Sequence, residues 1–167
     1  TGVDELDYPI VGEPTQPLVV WSGKPNRNIG YEIIKPFLPQ LYVHPYMPWM
    51  EYRVWLRTHQ RTVEVCPSAP DIHMQSKSPI KMLQAMCQGV PCVVSHLPPY
   101  GPLVEDGVTA LVYTKPEEVL GQVDRLLADK ELRHKIGQAG RDWALATHHI
   151  KKTSQDFMEV WRGYAHS

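Results

Sequence analysis

The segment that decides the fold is residues 62–95, TVEVCPSAPDIHMQSKSPIKMLQAMCQGVPCVVS. It begins with one run rich in β-branched residues at 62–66 and ends with a second, continuously apolar run near 91–95. Runs that are continuously apolar rather than alternating are expected of strands buried on both faces of a parallel sheet. Between them, residues 79–88 carry apolar side chains at helical spacing. A strand, a helix and a second strand in this order predict a βαβ unit.

Three more runs rich in β-branched residues fit the same sheet. They are LVVWS at 18–22, LYVH at 41–44 and TALVY at 109–113. Helical patterns at 31–38 and 50–58 lie between the runs. Strands that alternate with helices in this way predict an α/β fold with a Rossmann-like, doubly wound parallel sheet.

The chain after Pro116 is predicted to be helical throughout, because its apolar residues recur at spacings of three, four and seven. Three such stripes are expected to pack in the core. The last stripe consists of Ile150, Phe157, Val160, Trp161 and Tyr164. No internal repeat or second domain is visible, so residues 1–167 are predicted to form a single domain.

Composition excludes several classes of protein. The 167 residues are 43% hydrophobic and 21% charged, as in ordinary globular domains, and the formal net charge is -1. Nucleic-acid binding usually requires a basic balance, so no nucleic-acid partner is expected. No apolar run approaches the roughly 20 residues of a membrane span. Peripheral association with the inner face of a membrane stays open.

The cysteines Cys66, Cys87 and Cys92 indicate the compartment. An odd number of cysteines without a secretory signal indicates reduced thiols, so we expect a cytoplasmic location. Cys87 and Cys92 lie five positions apart across a predicted helix end, which is not a metal-ligand spacing. We therefore expect no metal site.

A candidate anion site lies at the start of the helix predicted for 79–88. Ser78 is a good N-cap and Pro79 is favoured at the first helical position, which places Lys81 in the first turn. Lys77 and Lys81 oppose the helix dipole, which favours acidic residues at this end. A diphosphate would remove that conflict by binding the lysines and the free backbone N–H groups. Gln84 could then reach a ribose hydroxyl.

The same pattern has a simpler interpretation. Lys77, Lys81, Gln84 and Gln88 share one side of the helix at 100° per residue. They could equally form the solvated polar face of an amphipathic helix, and the pattern alone does not choose between the two.

Two further loops at predicted strand ends are candidates for ligand binding. The loop after the first strand contains Gly23, Lys24 and Arg27, which offer close backbone approach and positive charge to a phosphate. The Pro/Gly-rich segment that contains Gly101 could cover a ligand. An ordinary surface loop would look similar in both cases.

The stretch 77–113 closely resembles the donor-binding domain of retaining GT-B glycosyltransferases of the group 1 (GT4-like) type. That family typically shows LEAMACGVPVV, then VEDGVTGLLV, then a helix beginning near PEE. Here the series reads LQAMCQGVP at 83–91, VEDGVTALV at 104–112 and PEE at 116–118. Order and spacing agree in all three segments.

Other segments extend the resemblance over most of the chain. TGVD at 1–4 resembles the family's NGVD segment at the interdomain linker, and VVWSGK at 19–24 resembles the strand and basic loop that follow. LLADKELRHKIGQAG at 126–140 resembles the LLxDPELRxxLGxxG helix pair. The resemblance implies that the chain is the C-terminal, donor-binding half of a GT-B enzyme, without the N-terminal acceptor domain.

The chain departs from the family at the donor contacts. A family pair of glutamates, which binds the sugar and the ribose, corresponds here to Ser76 and Gln84. Lys24 fills the place of the family's arginine, but Ile29 fills that of its lysine. The pattern is similar to a divergent branch, the bacterial polysaccharide glucuronosyltransferases, in which lysine and glutamine on this helix serve UDP. Lys81 and Gln84 match those roles.

The resemblance implies transfer of a sugar from a nucleotide diphosphate sugar, most simply UDP-linked, to an acceptor saccharide or lipid-linked acceptor. Lys81, Ser76, Ser78 and Lys24 would stabilise the departing diphosphate, and Tyr46 would lie near the base. No cofactor or metal is implied. Surface-polysaccharide or glycoconjugate biosynthesis is the expected setting. The alternative is a catalytically inactive nucleotide-binding or scaffolding GT-B domain, which the loss of both glutamates would favour.

Overall fold

The computed structural model describes residues 2–12, 14–23, 28–45 and 47–165. Five parallel strands form one sheet in the order β2-β1-β3-β4-β5. The strands are β1 (Val19–Trp21), β2 (Tyr42–Val43), β3 (Val63–Cys66), β4 (Cys92–Ser95) and β5 (Leu111–Tyr113). Each falls within one of the five apolar runs, so the predicted α/β fold with a parallel sheet is confirmed.

Seven α-helices are described around this sheet. They are α1 (Ile29–Ile34), α2 (Trp49–Thr58), α3 (Ile72–Gln75), α4 (Ile80–Cys87), α5 (Val119–Ala128), α6 (Lys130–His148) and α7 (Ile150–Ala165). Helix α1 continues as a 3-10 turn at Lys35–Phe37, where Pro36 cannot donate the hydrogen bond of a regular α-helix. Helix α3 was not predicted. Its four residues are capped by the Asp71 side chain, which accepts from the backbone N–H of Met74 at 3.0 Å.

Helices cover both faces of the sheet, which explains why the strands are largely apolar, although β3 carries the buried Glu64. Helices α2 and α4 pack on one face. That core contains Val20, Leu56, Cys66, Leu83, Met86 and Val94. Helices α1 and α5 pack on the other face. That core contains Val19, Ile34, Val65, Val93, Val123 and Leu126.

Two glycines allow α6 to pack directly on the end of α4. Gly89 follows α4 with φ +75°, a left-handed conformation that glycine adopts without strain, and so turns the chain toward β4. Gly137 of α6 lies so close that a Cβ there would collide with the carbonyl oxygen of Gly89. The backbones of α6 and of the turn after α4 therefore meet directly at this point, with no room for a larger residue at position 137.

The last helix differs from the prediction. The α5 stripe is buried as expected, but α7 leaves its apolar face open. Phe157 is 66% exposed, Trp161 63% and Tyr164 76%. Periodicity identifies an apolar face without identifying what covers it. Core packing was thus wrong for α7. No helix within the described ranges is both long and apolar enough to cross a bilayer.

Gly137→Ala should destabilise the fold, because the added methyl group meets a backbone carbonyl that cannot move independently. We expect a loss of about 1–3 kcal/mol in the free energy of unfolding, typical of overpacking. The matched control is Gly121→Ala in α5, where nothing lies within 4 Å of the added Cβ. Higher helix propensity should stabilise this variant by about 0.5–1 kcal/mol.

Urea denaturation followed by circular dichroism measures both variants. Equal effects of the two substitutions would contradict the proposed close packing of α6 on Gly89.

Candidate functional site

A cleft of about 650 Å³ opens at the carboxyl ends of the strands. Its walls come from elements far apart in sequence, which the parallel topology brings together at one edge. Trp21 ends β1, His44 follows β2, Lys81 lies in α4 and Tyr100 follows β4. The volume lies within the roughly 300–1,000 Å³ usual for small-molecule sites.

The charges of the cleft favour an anion. Of the described residues that line it, Lys77 and Lys81 are basic and none is acidic. Both lie at the N-terminal end of α4, where the first backbone N–H groups of a helix have no intrahelical partner. Helix dipole and lysine charge therefore both attract a negative group to this end of the cleft.

Lys81 is a partly desolvated cation. Its Nζ lies 5.4 Å from the centre of the Tyr52 ring, close enough for a cation–π interaction. Burial lowers the pKa of Lys81, and the charge of Glu64 partly offsets that effect. A lysine that has lost part of its hydration gains more from an anionic ligand than an exposed lysine would.

A polar network lies buried in the sheet beneath the cleft. The guanidinium of Arg61 donates to Glu64 at 2.7 Å and also donates to the Gln88 side chain. Gln88 Nε2 donates to the carbonyl of Leu56 at 2.6 Å. The second oxygen of Glu64 accepts from the backbone N–H of Ser22 at 3.2 Å, and Ser22 directly precedes Gly23, which lines the cleft. Gln88 therefore belongs to this network and not to a solvated helix face.

Aromatic rings form one wall of the cleft. The His44 ring meets Trp55 edge to face at 4.1 Å and Tyr52 at 5.1 Å, which fixes its orientation. Burial lowers the pKa of His44, and the positive charge of Lys81 adds to this, so the imidazole is neutral at neutral pH. Trp21 stacks on Tyr31 with ring centres 4.3 Å apart. This wall offers flat apolar surface rather than charge.

Four of the predicted site residues meet at the cleft. Gly23, Lys77, Ser78 and Lys81 all line it. The helix begins at Ile80 with Pro79 as N-cap, one position later than predicted, and Lys81 still lies in the first turn.

Three predicted residues do not line the cleft. Ser76 ends α3, is exposed and donates its hydroxyl to the Ile72 carbonyl at 2.7 Å. Gln84 is 2% exposed, and its Nε2 donates to the Tyr8 hydroxyl at 2.8 Å. Gly101 packs closely against the backbone of His96. The predicted residues Lys24, Arg27 and Tyr46 lie outside the described residues.

Sequence reasoning missed most of the aromatic wall. Trp21, His44, Trp49, Tyr52 and Tyr100 line the cleft and were not proposed. His44 had a usable signal, because it ends a predicted strand run at the edge where ligands bind. Tyr52 had none, since an aromatic residue on an amphipathic helix is usually part of the core. Among the described residues, no group of three or more His, Cys, Asp and Glu side chains is placed to hold a metal ion.

Lys81→Met should stabilise the fold at neutral pH. Because burial lowers the pKa of Lys81 in the folded state, the charged lysine opposes folding below that pKa. This penalty disappears as pH rises from the pKa of Lys81 in the folded state to its higher pKa in the unfolded state. The free energy of unfolding of wild type should therefore approach that of the variant in alkaline solution.

Urea denaturation of both proteins between about pH 7 and about pH 10 measures the difference, which should shrink with rising pH. Lys135→Met, which removes an exposed lysine of α6, is the control. A stability gap for Lys81→Met that is constant with pH would contradict the desolvation of Lys81.

Comparisons with solved structures agree on the fold. The C-terminal domain of LpcC, a group 1 family glycosyl transferase from Francisella tularensis, aligns with a TM-score of 0.66 at 13% identity, covering 89% of this chain and 100% of that one. Sucrose-phosphate synthase from Thermosynechococcus elongatus aligns with a TM-score of 0.72 at 16% identity, covering 99% of this chain and 52% of that one.

HepE from Anabaena, solved in complex with UDP-glucose, aligns with a TM-score of 0.66 at 16% identity, covering 88% of this chain and 49% of that one. The chain therefore spans about half the length of sucrose-phosphate synthase and of HepE. A search of curated proteins gives no match.

The family comparison agrees with these alignments. The resemblance to group 1 GT-B glycosyltransferases is confirmed, whereas the similarity to the glucuronosyltransferase branch stays a prediction. The model of the glycosyl transferase-like family matches residues 4–159, nearly the whole chain, and the chain thus belongs to that family.

Proposed function

We propose that this chain is the donor-binding domain of a glycosyltransferase that takes a sugar from a nucleoside diphosphate sugar, with UDP as the nucleotide. The observation that carries the proposal is the position of Lys77 and Lys81 at the start of α4, in a cleft whose described lining has no acidic residue. Such a place suits an anionic group such as a diphosphate.

The diphosphate would lie at the N-terminus of α4. There the backbone N–H groups and Lys81 can stabilise the negative charge that develops as the glycosidic bond breaks. Donors already fixed in place act without reorganisation, and losing one can cost roughly 3–4 kcal/mol of barrier. Ser78, which lines the cleft beside Lys77, would add a hydroxyl, and Gly23 would let the β1 loop approach the phosphates closely.

The nucleoside would occupy the aromatic side of the cleft. Trp21, His44 and Tyr52 offer flat surfaces against which a base can stack. The complex of HepE with UDP-glucose supports uracil as the base. Gln84 is 2% exposed and does not line the cleft, so we assign the ribose to the cleft wall. A contact from Gln84 would require a rearrangement that exposes it.

The acceptor would bind outside this chain. Because sucrose-phosphate synthase and HepE are about twice as long as the chain, we propose an N-terminal GT-B domain as its partner in the full protein. An acceptor saccharide or lipid-linked acceptor would reach the cleft from that side. A cytoplasmic enzyme of polysaccharide or glycoconjugate synthesis, at the inner face of the membrane where its acceptor is lipid-linked, fits this arrangement.

A second candidate function is nucleotide binding without catalysis. It is favoured by Ser76 and Gln84, which stand where the family carries glutamates, and by the buried hydrogen bond that removes Gln84 from the cleft. A full-length protein that binds UDP and transfers no sugar would favour this alternative.

Calorimetric titration with UDP, GDP and ADP tests the proposed donor site. We expect UDP to bind most tightly, and Lys81→Ala to weaken UDP binding by about tenfold to a hundredfold, the usual worth of a charge-assisted hydrogen bond. Lys77→Ala should weaken it less, since Lys77 lies before the helix.

Two substitutions control the titration. Lys135→Ala removes a lysine far from the cleft and should leave the affinity unchanged. Gln84→Ala should have a smaller effect than Lys81→Ala, because Gln84 does not line the cleft. Folded wild-type protein that binds none of the three nucleotides would refute the donor site.

A further inference from the structure

Glu64 is a carboxylate in the middle of the sheet, where its neighbours are apolar. In β3 it pairs with Val20 of β1 on one side and with Cys92 of β4 on the other, and it is 1% exposed. Burying a carboxylate is costly unless it is paired and hydrogen-bonded. Glu64 meets that condition with the Arg61 guanidinium at 2.7 Å and the backbone N–H of Ser22 at 3.2 Å.

Stability alone does not explain this charge. Replacing a buried ion pair by apolar residues of similar volume is often neutral or stabilising. The position of Glu64 suggests a task instead. One partner of Glu64 is Ser22, which directly precedes Gly23 at the cleft. The negative charge of Glu64 also acts on Lys81.

We propose that Glu64 is a positioning residue of the donor cleft. It holds the backbone at Ser22, directly before the cleft residue Gly23, and its negative charge favours a cation at Lys81. The inference rests on the proposed function of the cleft. Glu64 does not itself line the cleft, so it acts through Ser22 and Lys81.

The charges that act on Lys81 come from β3 and from the turn before α4. Burial lowers the pKa of Lys81 most strongly, Glu64 and then Cys66 oppose this, and Lys77 lowers it further. For Cys66, the hydrogen bond with Cys92 and burial both raise the pKa well above that of an ordinary thiol. Cys66 is therefore neutral, and Glu64 is the negative charge that raises the pKa of Lys81.

Three other titratable side chains line the cleft near Lys81. His44 follows β2, Tyr52 belongs to α2 and Tyr100 follows β4. Burial lowers the pKa of His44 and raises the pKa of Tyr52 and of Tyr100, so all three are neutral near pH 7. None of them supplies a charge that could replace that of Glu64.

NMR titration of Lys81 tests the electrostatic part of the inference without any ligand. Lysine is labelled with ¹³C at Cε, and the Lys81 signal is assigned by its loss in Lys81→Arg. We expect a lower Lys81 pKa in Glu64→Gln than in wild type. Glu117→Gln, which removes an exposed carboxylate outside the cleft, should leave it unchanged. The same Lys81 pKa in all three proteins would overturn the inference.

UDP affinity across pH tests the consequence for binding. Gln at position 64 can still accept from Ser22, so the affinity of Glu64→Gln should be close to wild type near neutral pH. The loss should grow with pH and reach about tenfold if the Lys81 pKa falls by about one. Tighter UDP binding by the variant at every pH would mean that Glu64 mainly repels the ligand, which would overturn the inference.

A second variant covers the case in which Glu64→Gln fails to fold with Arg61 left unpaired. Arg61→Met/Glu64→Gln removes both buried charges, a change that folds tolerate. Once circular dichroism shows native structure, its Lys81 pKa should also lie below that of wild type, and an unchanged value would refute the role of Glu64. If wild type binds no UDP, the proposed function is contradicted instead. The NMR titration still decides whether Glu64 raises the pKa of Lys81.

Discussion

Helix α4 depends on burial for its position. It has eight residues, and isolated helices shorter than about 12–15 residues are marginal in water. Residues 82–87 are all buried, between the sheet on one side and α6 on the other. This packing fixes the N-terminal turn, and with it the free backbone N–H groups and Lys81. The position of this basic end of the cleft is thus set by the core rather than by contacts inside the cleft.

The same packing places the Lys81 cation in an electrostatically unfavourable position. A lysine in the first turn of a helix faces the positive end of the helix dipole, and burial removes part of its hydration. The Tyr52 ring and the Glu64 carboxylate act in the opposite direction. Glu64 in turn is paired with Arg61, which also donates a hydrogen bond to the Gln88 side chain. Hydrogen bonds thus join Gln88, Arg61 and Glu64 inside the sheet, and the charge of Glu64 acts from there on Lys81.

The sheet could be predicted because strands buried on both faces are rich in apolar, β-branched residues, a pattern visible in the local sequence. The cleft was predictable where a local signal exists, as for Lys77 and Lys81 at a helix start. Tyr52 carries no such signal, because its role depends on how α2 packs. Gln84 fits a polar helix face by spacing, yet its partner Tyr8 lies 76 positions away in the chain. The exposed face of α7 could not be predicted either, since an apolar stripe does not state what covers it.

The contact between Gly89 and Gly137 has a consequence for tracing descent. A chain that places α6 on the end of α4 in this way has no space for a side chain at the second position and needs a left-handed backbone at the first. Neither requirement involves the ligand. Two glycines at these places, one directly after α4 and one in α6, are therefore expected in other chains with the same helix packing, including chains with different cleft residues.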